Sequence, residues 1–282
     1  GKTTLALHAI AEAQKRGLKV AIIDVEHALS REYAKSIGIN FSACAFSQPD
    51  SAEKALDYCF DLASGICNLV VVDSVAALAS EEEIEKGMGD ATMAKVPRLM
   101  SKACRKLTPV LTKHDCTVIF INQLRANIGG YGPLEVTPGG KGLKYAASVR
   151  VEIRAPKSGM LKRSGQEPYG IRAKATVVKN KVSSPMRVAE FDIIYGQGIS
   201  RESSIFEAAM SEGLVEQKGA WFQYGELRLQ GREKFVTHMQ DEPEVALELE
   251  EAVRGRLLRR TSPADEEAEV DEEEEEEPEA EV

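Results

Sequence analysis

The 282-residue sequence is poor in aromatic residues, cysteine pairs and long apolar runs. Aromatic residues make up 6% of the chain, which suits an α/β protein built on Val, Ile, Leu and Ala. No apolar run reaches the roughly 18 residues that a membrane-spanning helix needs, and no signal peptide opens the sequence. Five cysteines form no CxxC pair and have no metal-ligand spacing. We therefore expect reduced thiols, a cytoplasmic location and no membrane attachment.

The net charge of −9 is unevenly distributed along the chain. Residues 264–282 hold thirteen acids and no base, so the remainder carries a charge of about +4. A mildly basic body with an acidic appendage is typical of nucleic-acid-binding proteins. A solubilising tail would have the same composition, and in either case we predict that residues 261–282 are disordered.

Short apolar runs rich in β-branched residues alternate with helical patterns in the first half of the chain. Runs that are apolar on both faces are typical of parallel strands covered by helices on both sides. We therefore predict an α/β fold with a central, mostly parallel sheet and right-handed crossovers. The predicted strands are 20–24, 69–73 and 118–122, and the predicted helices are 4–14, 51–63 and 91–113.

The pattern changes after residue 123. A Gly- and Pro-rich stretch is long enough to be a functional loop, and period-two strands follow it. The final part has a helix through Met210, a hairpin and two helices flanking Pro243, which predicts a small α+β unit. We expect a core domain at 1–199, a C-terminal α+β domain at 200–260 and the acidic tail at 261–282. The predicted antiparallel strands are 148–154, 173–179 and 189–195, and the predicted hairpin is 221–229.

The chain opens with Gly1-Lys2-Thr3-Thr4, which has the form of the second half of a P-loop. In the whole motif backbone N–H groups cradle the phosphates, the lysine reaches the β- and γ-phosphates and the hydroxyl holds Mg²⁺. We expect Gly1, Lys2, Thr3 and Thr4 to bind the phosphates of a nucleotide, and we expect the upstream half of the motif to be missing. Alone this pattern is weak, since GKT occurs by chance at helix starts.

Polar residues follow the predicted strands, where ligands bind in open α/β sheets. Asp73 has the form of a Walker B acid, and with Thr3 it would hold Mg²⁺. Glu26 would orient or deprotonate an attacking water, and the amide of Gln123 would hydrogen-bond a γ-phosphate and move the next loop. Each has an ordinary alternative as a solvated strand-end or loop-capping residue. The GKT helix and the strand ending in Asp73 together favour a P-loop NTPase.

Five segments, in order along the chain, resemble the bacterial RecA recombinase family. The resemblance runs from Gly1 to about Leu258 with few gaps. It implies a RecA-like P-loop NTPase core, ATP and Mg²⁺ as ligands, and a small C-terminal domain. The segments are Ile23-Asp24-Val25-Glu26-His27-Ala28-Leu29, Val72-Asp73-Ser74-Val75-Ala76-Ala77-Leu78, Ile119-Phe120-Ile121-Asn122-Gln123-Leu124-Arg125, Gly139-Gly140-Lys141-Gly142-Leu143-Lys144-Tyr145 and Val177-Val178-Lys179-Asn180-Lys181.

The resemblance also implies roles for residues of the nucleotide site. Glu26 matches the catalytic carboxylate, Asp73 the Walker B acid, Gln123 the γ-phosphate sensor, and Tyr33 the tyrosine that stacks on adenine. Lys179 and Lys181 match lysines that reach the ATP of the neighbouring subunit, so the site would be complete only in a filament. Two lysines at i and i+2 lie on one strand face and so reach one anionic partner.

DNA-binding residues follow from the same resemblance. Two loops, at about 85–93 and 124–138, match the family's DNA loops. A helical spacing of i, i+3 and i+7 after the first loop gives one polar face suited to a phosphate backbone. The implied DNA-binding residues are Arg98, Ser101, Arg105, Arg125, Gly139 and Gly140.

Several features depart from the family pattern, among them Ser30, Pro97 and Thr176. Ser30 stands where the family usually has an Asp near the adenine, which puts the base preference in doubt. Pro97 is unusual in the predicted helix after the first loop, and we expect it to kink that helix.

The function implied is that of a DNA-dependent ATPase that forms filaments on single-stranded DNA and exchanges strands with a homologous duplex. The family also stimulates self-cleavage of SOS-type repressors, which this sequence neither supports nor excludes. Two alternatives stay open: a RecA-fold motor of another class, such as a hexameric helicase or repair ATPase, and a non-hydrolysing relative. The Lys179-Asn180-Lys181 segment and the acidic tail argue against the first, and intact Glu26, Asp73 and Gln123 argue against the second.

Overall fold

A computed structural model of the chain describes residues 1–86, 95–126, 135–162 and 165–259. The chain divides into two compact units, with Gly1–Val188 and Ile193–Ile199 in the first. The second contains Ala189–Asp192 and the chain from Ser200 onward. Over the described ranges, no helix is both long enough and apolar enough to cross a membrane.

Four parallel strands form the central sheet of the first unit, in the order β2-β1-β3-β4. Strands β1 and β3 are in register, so that Asp24 lies beside Asp73 at their carboxyl ends. The predicted α/β fold with a parallel central sheet is therefore confirmed. Strand β2 was not predicted, because its four residues show neither a continuous apolar run nor a clean alternation. The strands are β1 (Val20–Asp24), β2 (Cys44–Ser47), β3 (Leu69–Asp73) and β4 (Thr117–Phe120).

The described residues of the same unit form six α-helices. Serine side chains accept hydrogen bonds from the first turns of three of them, where the backbone N–H groups have no helical partner. Pro97 lies in the first turn of α5, where its missing N–H costs no helical bond, so the expected kink has no physical basis there. The helices are α1 (Lys2–Lys15), α2 (Arg31–Ile37), α3 (Ala52–Ala63), α4 (Glu81–Glu85), α5 (Lys95–His114) and α6 (Lys141–Ala146).

Alternate residues of β1 and β3 bury their side chains on opposite faces of the central sheet. One face packs Ile23 and Val72 against α3 and α5, and the other packs Ile22 and Val71 against α1 and α2. This two-sided burial explains why β1 and β3 are apolar at every position before their final aspartates, rather than alternating. It also fixes the start of α1 near the carboxyl end of the sheet.

A second, antiparallel sheet has the strand order β11-β10-β9-β7, with β8 paired to β9. The stretch predicted as a long loop contains a short antiparallel pair, β5 with β6, at its two ends. Residues 127–134 of that loop, residues 87–93 of the other predicted DNA loop and the tail at 261–282 lie outside the described residues. The strands are β5 (Arg125–Ala126), β6 (Glu135–Val136), β7 (Val149–Arg154), β8 (Met160–Leu161), β9 (Gly170–Asn180), β10 (Val188–Ile194) and β11 (Gly198–Ile199).

The second unit has its own core, in which Phe206 contacts Phe222 and Phe235 with ring centroids 5.2 Å apart in each pair. A three-stranded antiparallel sheet and three helices surround this core, as expected for a small α+β unit. The first of these strands was not predicted, because its three residues are all polar and exposed. The elements are α7 (Arg201–Ser211), β12 (Glu216–Lys218), β13 (Trp221–Tyr224), β14 (Leu227–Gln230), α8 (Arg232–Asp241) and α9 (Pro243–Arg259).

Candidate functional site

The start of α1 meets the carboxyl end of β3. The hydroxyl of Thr3 donates a 2.7 Å hydrogen bond to Oδ2 of Asp73. These two residues are 70 positions apart in the sequence, and the sheet topology brings them together. A hydroxyl and a carboxylate oxygen are hard ligands of the kind that Mg²⁺ prefers, so the pair fits the expected magnesium site.

The carboxylate of Asp73 lies in an electrostatically unfavourable place. Burial raises its pKa above the ordinary range, and the negative charges of Glu26 and Asp24 raise it further. The hydrogen bond from Thr3 and the charge of Lys2 act in the opposite direction. Three carboxylates converging on one sheet edge make an environment that a bound cation would stabilise.

Gly1, Lys2 and Thr4, the other residues expected to bind phosphate, lie at the start of α1. A Cβ at Gly1 would lie 2.6 Å from Cδ1 of Ile193, so a side chain there would require Ile193 to shift. Lys2 is exposed, whereas Thr4 is buried and its hydroxyl lies 3.0 Å from the hydroxyl of Tyr33. The first backbone N–H groups of α1 have no helical acceptor, and together with the helix dipole they favour an anion.

Tyr33 and Ser30 are coupled through the first turn of α2. The side chain of Ser30 caps this helix by accepting the N–H of Tyr33 at 3.2 Å. Ser30, which departs from the family pattern, therefore has a structural function that the sequence did not reveal. The hydroxyl of Tyr33 is directed at Thr4, so the two residues expected to bind nucleotide contact each other.

A second cluster is centred on the carboxylate of Glu26. Its Oε1 accepts a hydrogen bond from Nε2 of Gln123 at 2.9 Å and a shorter one from the hydroxyl of Ser74. The backbone N–H groups of Val25 and Glu26 both donate to the carbonyl of Asp73, at 2.6 and 3.2 Å. Glu26, Ser74 and Gln123 follow three adjacent strands, β1, β3 and β4, which is why the fold brings them together.

Lys179 and Lys181 lie on one face of the β9 end, as their spacing predicted. Lys179 donates to the carbonyl oxygens of Lys144 and Tyr145 at 3.0 and 2.9 Å, and Lys181 donates to that of Tyr145 at 3.4 Å. These carbonyls belong to the last turn of α6, whose negative end attracts cations. Partial desolvation and the charges of Lys181 and Arg150 lower the pKa of Lys179.

The predicted DNA-binding residues of α5 differ in their availability. Arg98 and Arg105 are exposed on the helix surface. Ser101 is half-buried, and its hydroxyl donates to the carbonyl of Pro97 at 2.8 Å. The helical face predicted from the spacing therefore presents two cations, with the serine between them held by the helix itself.

The two glycines at the end of the second loop are both required by the backbone. Gly139 and Gly140 have φ angles of +82° and +76°. A Cβ on them would lie 2.6 Å from Val75 and 2.8 Å from Pro97, respectively. Arg125, at the other end of the loop, donates to the carbonyl of Ala76 at 3.4 Å. The two ends of the loop therefore contact the segment that follows β3.

Two functional candidates were missed by the sequence reasoning. Ser74 follows Asp73 and is completely buried, yet it contacts Glu26 across the sheet edge. Asn122 precedes Gln123, and its amide donates to the carbonyl of Pro138 at 3.0 Å, which closes the base of the second loop. Their places directly beside a predicted site residue were the only indication in the sequence.

The chain resembles known proteins over most of its length. Residues 1–200 match the RecA N-terminal domain family and residues 203–258 match the RecA C-terminal domain family. Protein RecA of Syntrophus aciditrophicus is 51% identical over 257 residues, which cover 90% of this chain and 74% of that protein. Protein RecA of Corynebacterium efficiens is 49% identical over 260 residues, covering 91% and 67%.

A solved structure shares the fold at lower sequence identity. The crystal structure of the RadB recombinase matches with a TM-score of 0.50 and 22% identity, over 71% of this chain and 84% of that one. The parallel sheet, the strand-end carboxylates and both domain matches agree with the resemblance found in the sequence. The chain belongs to the RecA family.

Proposed function

We propose that this protein is an ATP- and Mg²⁺-dependent recombinase of DNA recombination and repair. It polymerises on single-stranded DNA and exchanges strands with a homologous duplex. The observation that carries the proposal is the convergence of two pairs, Thr3 with Asp73 and Glu26 with Gln123, at one edge of the sheet. Membership of the RecA family supports it.

In this proposal the start of α1 binds the phosphates of ATP. Lys2 pairs with the β- and γ-phosphates, while the orphan N–H groups of the first helical turn bind their oxygens. Thr3 and Asp73 hold Mg²⁺, which would neutralise phosphate charge when bound. Tyr33 stacks on the adenine, and Thr4 anchors the tyrosine hydroxyl.

Hydrolysis requires a group that orients and deprotonates water, and Glu26 is the proposed base. In this structure Gln123 donates to Glu26. When ATP is bound, we expect this amide to turn to the γ-phosphate instead, and the loop that follows Gln123 to move with it. Such a step would transmit the nucleotide state to DNA, since the loop ends at Gly139 and Gly140.

The proposed filament places Lys179 and Lys181 on the ATP of the neighbouring subunit. In this subunit both ammonium groups donate hydrogen bonds to carbonyl oxygens of α6. Assembly would exchange carbonyl partners for phosphates, which bind ammonium more strongly because they are charged. Hydrolysis would therefore depend on assembly.

The proposed DNA contacts are to the phosphate backbone, which leaves the bases free to test pairing. Arg98, Arg105 and Arg125 supply positive charge, Ser101 a hydroxyl, and Gly139 and Gly140 backbone N–H groups. We further propose that residues 1–199 act as the ATPase core and 200–260 as the C-terminal domain. Stimulation of an SOS-type repressor is a proposal that rests on the family resemblance alone.

The test is a matched pair of lysine variants in the full-length protein. Lys2→Ala removes the proposed phosphate ligand at the start of α1, while Lys15→Ala removes an exposed lysine at the other end of the same helix. We expect Lys2→Ala to abolish ATP turnover, filaments on single-stranded DNA and strand exchange, and Lys15→Ala to retain all three. Equal behaviour of the two variants, or rings instead of filaments by electron microscopy, would refute the proposal.

A further inference from the structure

Ser74 lies at the sheet edge and is completely buried. Its hydroxyl donates a short hydrogen bond to Oε1 of Glu26. A carboxylate has no proton to give, so the hydroxyl must be the donor of this bond. A hydrogen bond to a charged acceptor is stronger than one between neutral groups.

The backbone around Ser74 fixes the direction of this bond. Its carbonyl accepts the N–H of Ala77 at 3.1 Å, and the next residue, Val75, donates to Ile121 at 2.9 Å. Val75 is itself buried against the core. The hydroxyl therefore projects from a segment that is held by a local turn and by a bond to the residue after β4.

Gln123 is the second donor to the same oxygen, but its surroundings are different. Its side chain is exposed, and its chain leads directly into the second DNA loop. If Gln123 turns to the γ-phosphate, as proposed above, Glu26 loses that donor when ATP is bound and ready for hydrolysis. The hydroxyl of Ser74 then remains hydrogen-bonded to Oε1 of Glu26.

We propose that Ser74 is the positioning residue of the catalytic carboxylate Glu26. Its hydroxyl holds Oε1 while Gln123 is engaged elsewhere, and this leaves Oε2 to accept the proton of the attacking water. The inference rests on the proposed function, in which Glu26 is the base. It assigns a role in hydrolysis to a residue that does not itself contact the nucleotide.

The main test is Ser74→Ala in the full-length protein, measured as DNA-stimulated ATP turnover over a range of ATP concentrations. Losing a hydrogen bond to a charged group in the reacting arrangement should lower kcat about tenfold or more. The KM for ATP should change by less than about threefold, since Ser74 does not bind ATP. Ser74→Cys, which is nearly isosteric but a weak donor, should show the same loss and serves if the alanine variant does not fold.

A double variant separates positioning from a general structural effect. Ser74→Ala added to Glu26→Gln should lower turnover no further, because the group that Ser74 positions has already been removed. Ser51 provides a matched control, since it is 2% exposed and caps α3 by accepting the N–H of Lys54. Ser51→Ala should lower the melting temperature without changing kcat.

The outcomes distinguish the inference from the function on which it rests. If Glu26→Gln is inactive but Ser74→Ala keeps more than half of the wild-type kcat, Glu26 is the base and Ser74 does not position it. An additive loss in the double variant would likewise overturn the role of Ser74. If Glu26→Gln itself retains turnover, the proposed base is wrong, and the positioning role fails with it.

Discussion

Glu26 is an exposed carboxylate at the end of a buried strand, and two donors hold one of its oxygens. Fixing a long, flexible side chain costs conformational entropy. Here the hydrogen bonds from Ser74 and Gln123, which the sheet holds in place, offset that cost. The arrangement suits a base that must act on one water in one position.

The first prediction concerns this carboxylate. Glu26→Gln in the full-length protein should keep ATP and DNA binding but lose most turnover, since the isosteric amide cannot accept a proton. General-base catalysis contributes about 10²–10⁴-fold, and the loss in kcat should fall in this range. Single-turnover hydrolysis of ATP with saturating single-stranded DNA measures it.

Glu32→Gln is the matched control, as Glu32 is an exposed glutamate on the neighbouring helix α2. It should hydrolyse ATP at the wild-type rate. Near-normal turnover in Glu26→Gln would remove Glu26 from the proposed catalytic role.

At the scale of elements, helix α1 has a polar connection to β11 through His8. Nε2 of His8 accepts the N–H of Ile199 at 2.8 Å, so the ring must be unprotonated at that atom. Gly198 lies so close that a Cβ on it would be 2.5 Å from the same nitrogen. Burial lowers the pKa of His8 below its ordinary value, while the nearby charges of Glu12 and Lys15 oppose each other.

The second prediction is a pH dependence of stability that comes from His8. Its pKa is lower in the folded than in the unfolded protein, so unfolded chains bind the proton more readily. The contribution is complete above about pH 6.5, where the unfolded histidine is neutral, and it falls as the pH drops through the folded pKa. The free energy of unfolding should decrease by at most about 1.4 kcal/mol per pH unit in that window from this group.

Denaturant unfolding between pH 4 and pH 8 tests this prediction. His8→Gln should flatten the curve below pH 6.5, because an amide oxygen accepts the same N–H without titrating. Parallel curves for wild type and His8→Gln would contradict the prediction.

At the scale of the whole molecule, the arrangement of basic and acidic groups suggests how subunits and DNA meet. Lys179 and Lys181 are bound to the carbonyl oxygens of α6 within this subunit. Their proposed target is a nucleotide on another subunit. The acids of residues 264–282 add a negative charge large enough to reverse that of the rest of the chain.

The third prediction is a complementation between subunits. The double variant Lys179→Ala/Lys181→Ala should lose hydrolysis in the assembled filament, as should Glu26→Gln. Mixing the two should restore part of the activity, because some interfaces then combine an intact base with intact lysines. The measurement is ATP turnover against mixing ratio.

Lys174→Ala is the control for this experiment. Lys174 is exposed on the same strand, five residues before Lys179. It should keep full activity alone. An absence of recovery at every ratio would mean that the lysines act within their own subunit or not at all.

The fourth prediction is that the acidic tail slows the entry of duplex DNA. Deleting residues 264–282 changes the net charge from −9 to about +4, so an anionic duplex should be captured faster. The difference in duplex-binding rate between the deleted and the intact protein should be greatest at low salt. It should decrease as the Debye length falls toward about 8 Å near physiological ionic strength. Millimolar Mg²⁺ should mimic the deletion by neutralising carboxylates.

Duplex-binding rates against salt and Mg²⁺ measure this effect. A tail of equal length with its acids replaced by Gln and Asn is the control, and it should behave like the deletion if charge is the cause. Identical rates for all three proteins under every condition would reduce the tail to a solubility device.

The sequence by itself determined the parallel core, because strands buried on both faces must be apolar at every position. It also indicated the P-loop helix and the carboxylates of Glu26 and Asp73, since strand ends are where α/β sheets bind ligands. It could not indicate β2 or β12, which are too short and irregular for a periodic pattern.

Only the tertiary structure decided which of these residues meet. Ser74 and Glu26 are 48 positions apart in the sequence. Their contact depends on the pairing of β1 with β3, which the sequence around Ser74 does not indicate. From the sequence, Lys179 and Lys181 have the pattern of an exposed basic strand. The structure shows that both donate to carbonyl oxygens at the end of α6. Local sequence sets the chemistry of each side chain, whereas strand order and register set the distances between them, because those depend on contacts remote in the chain.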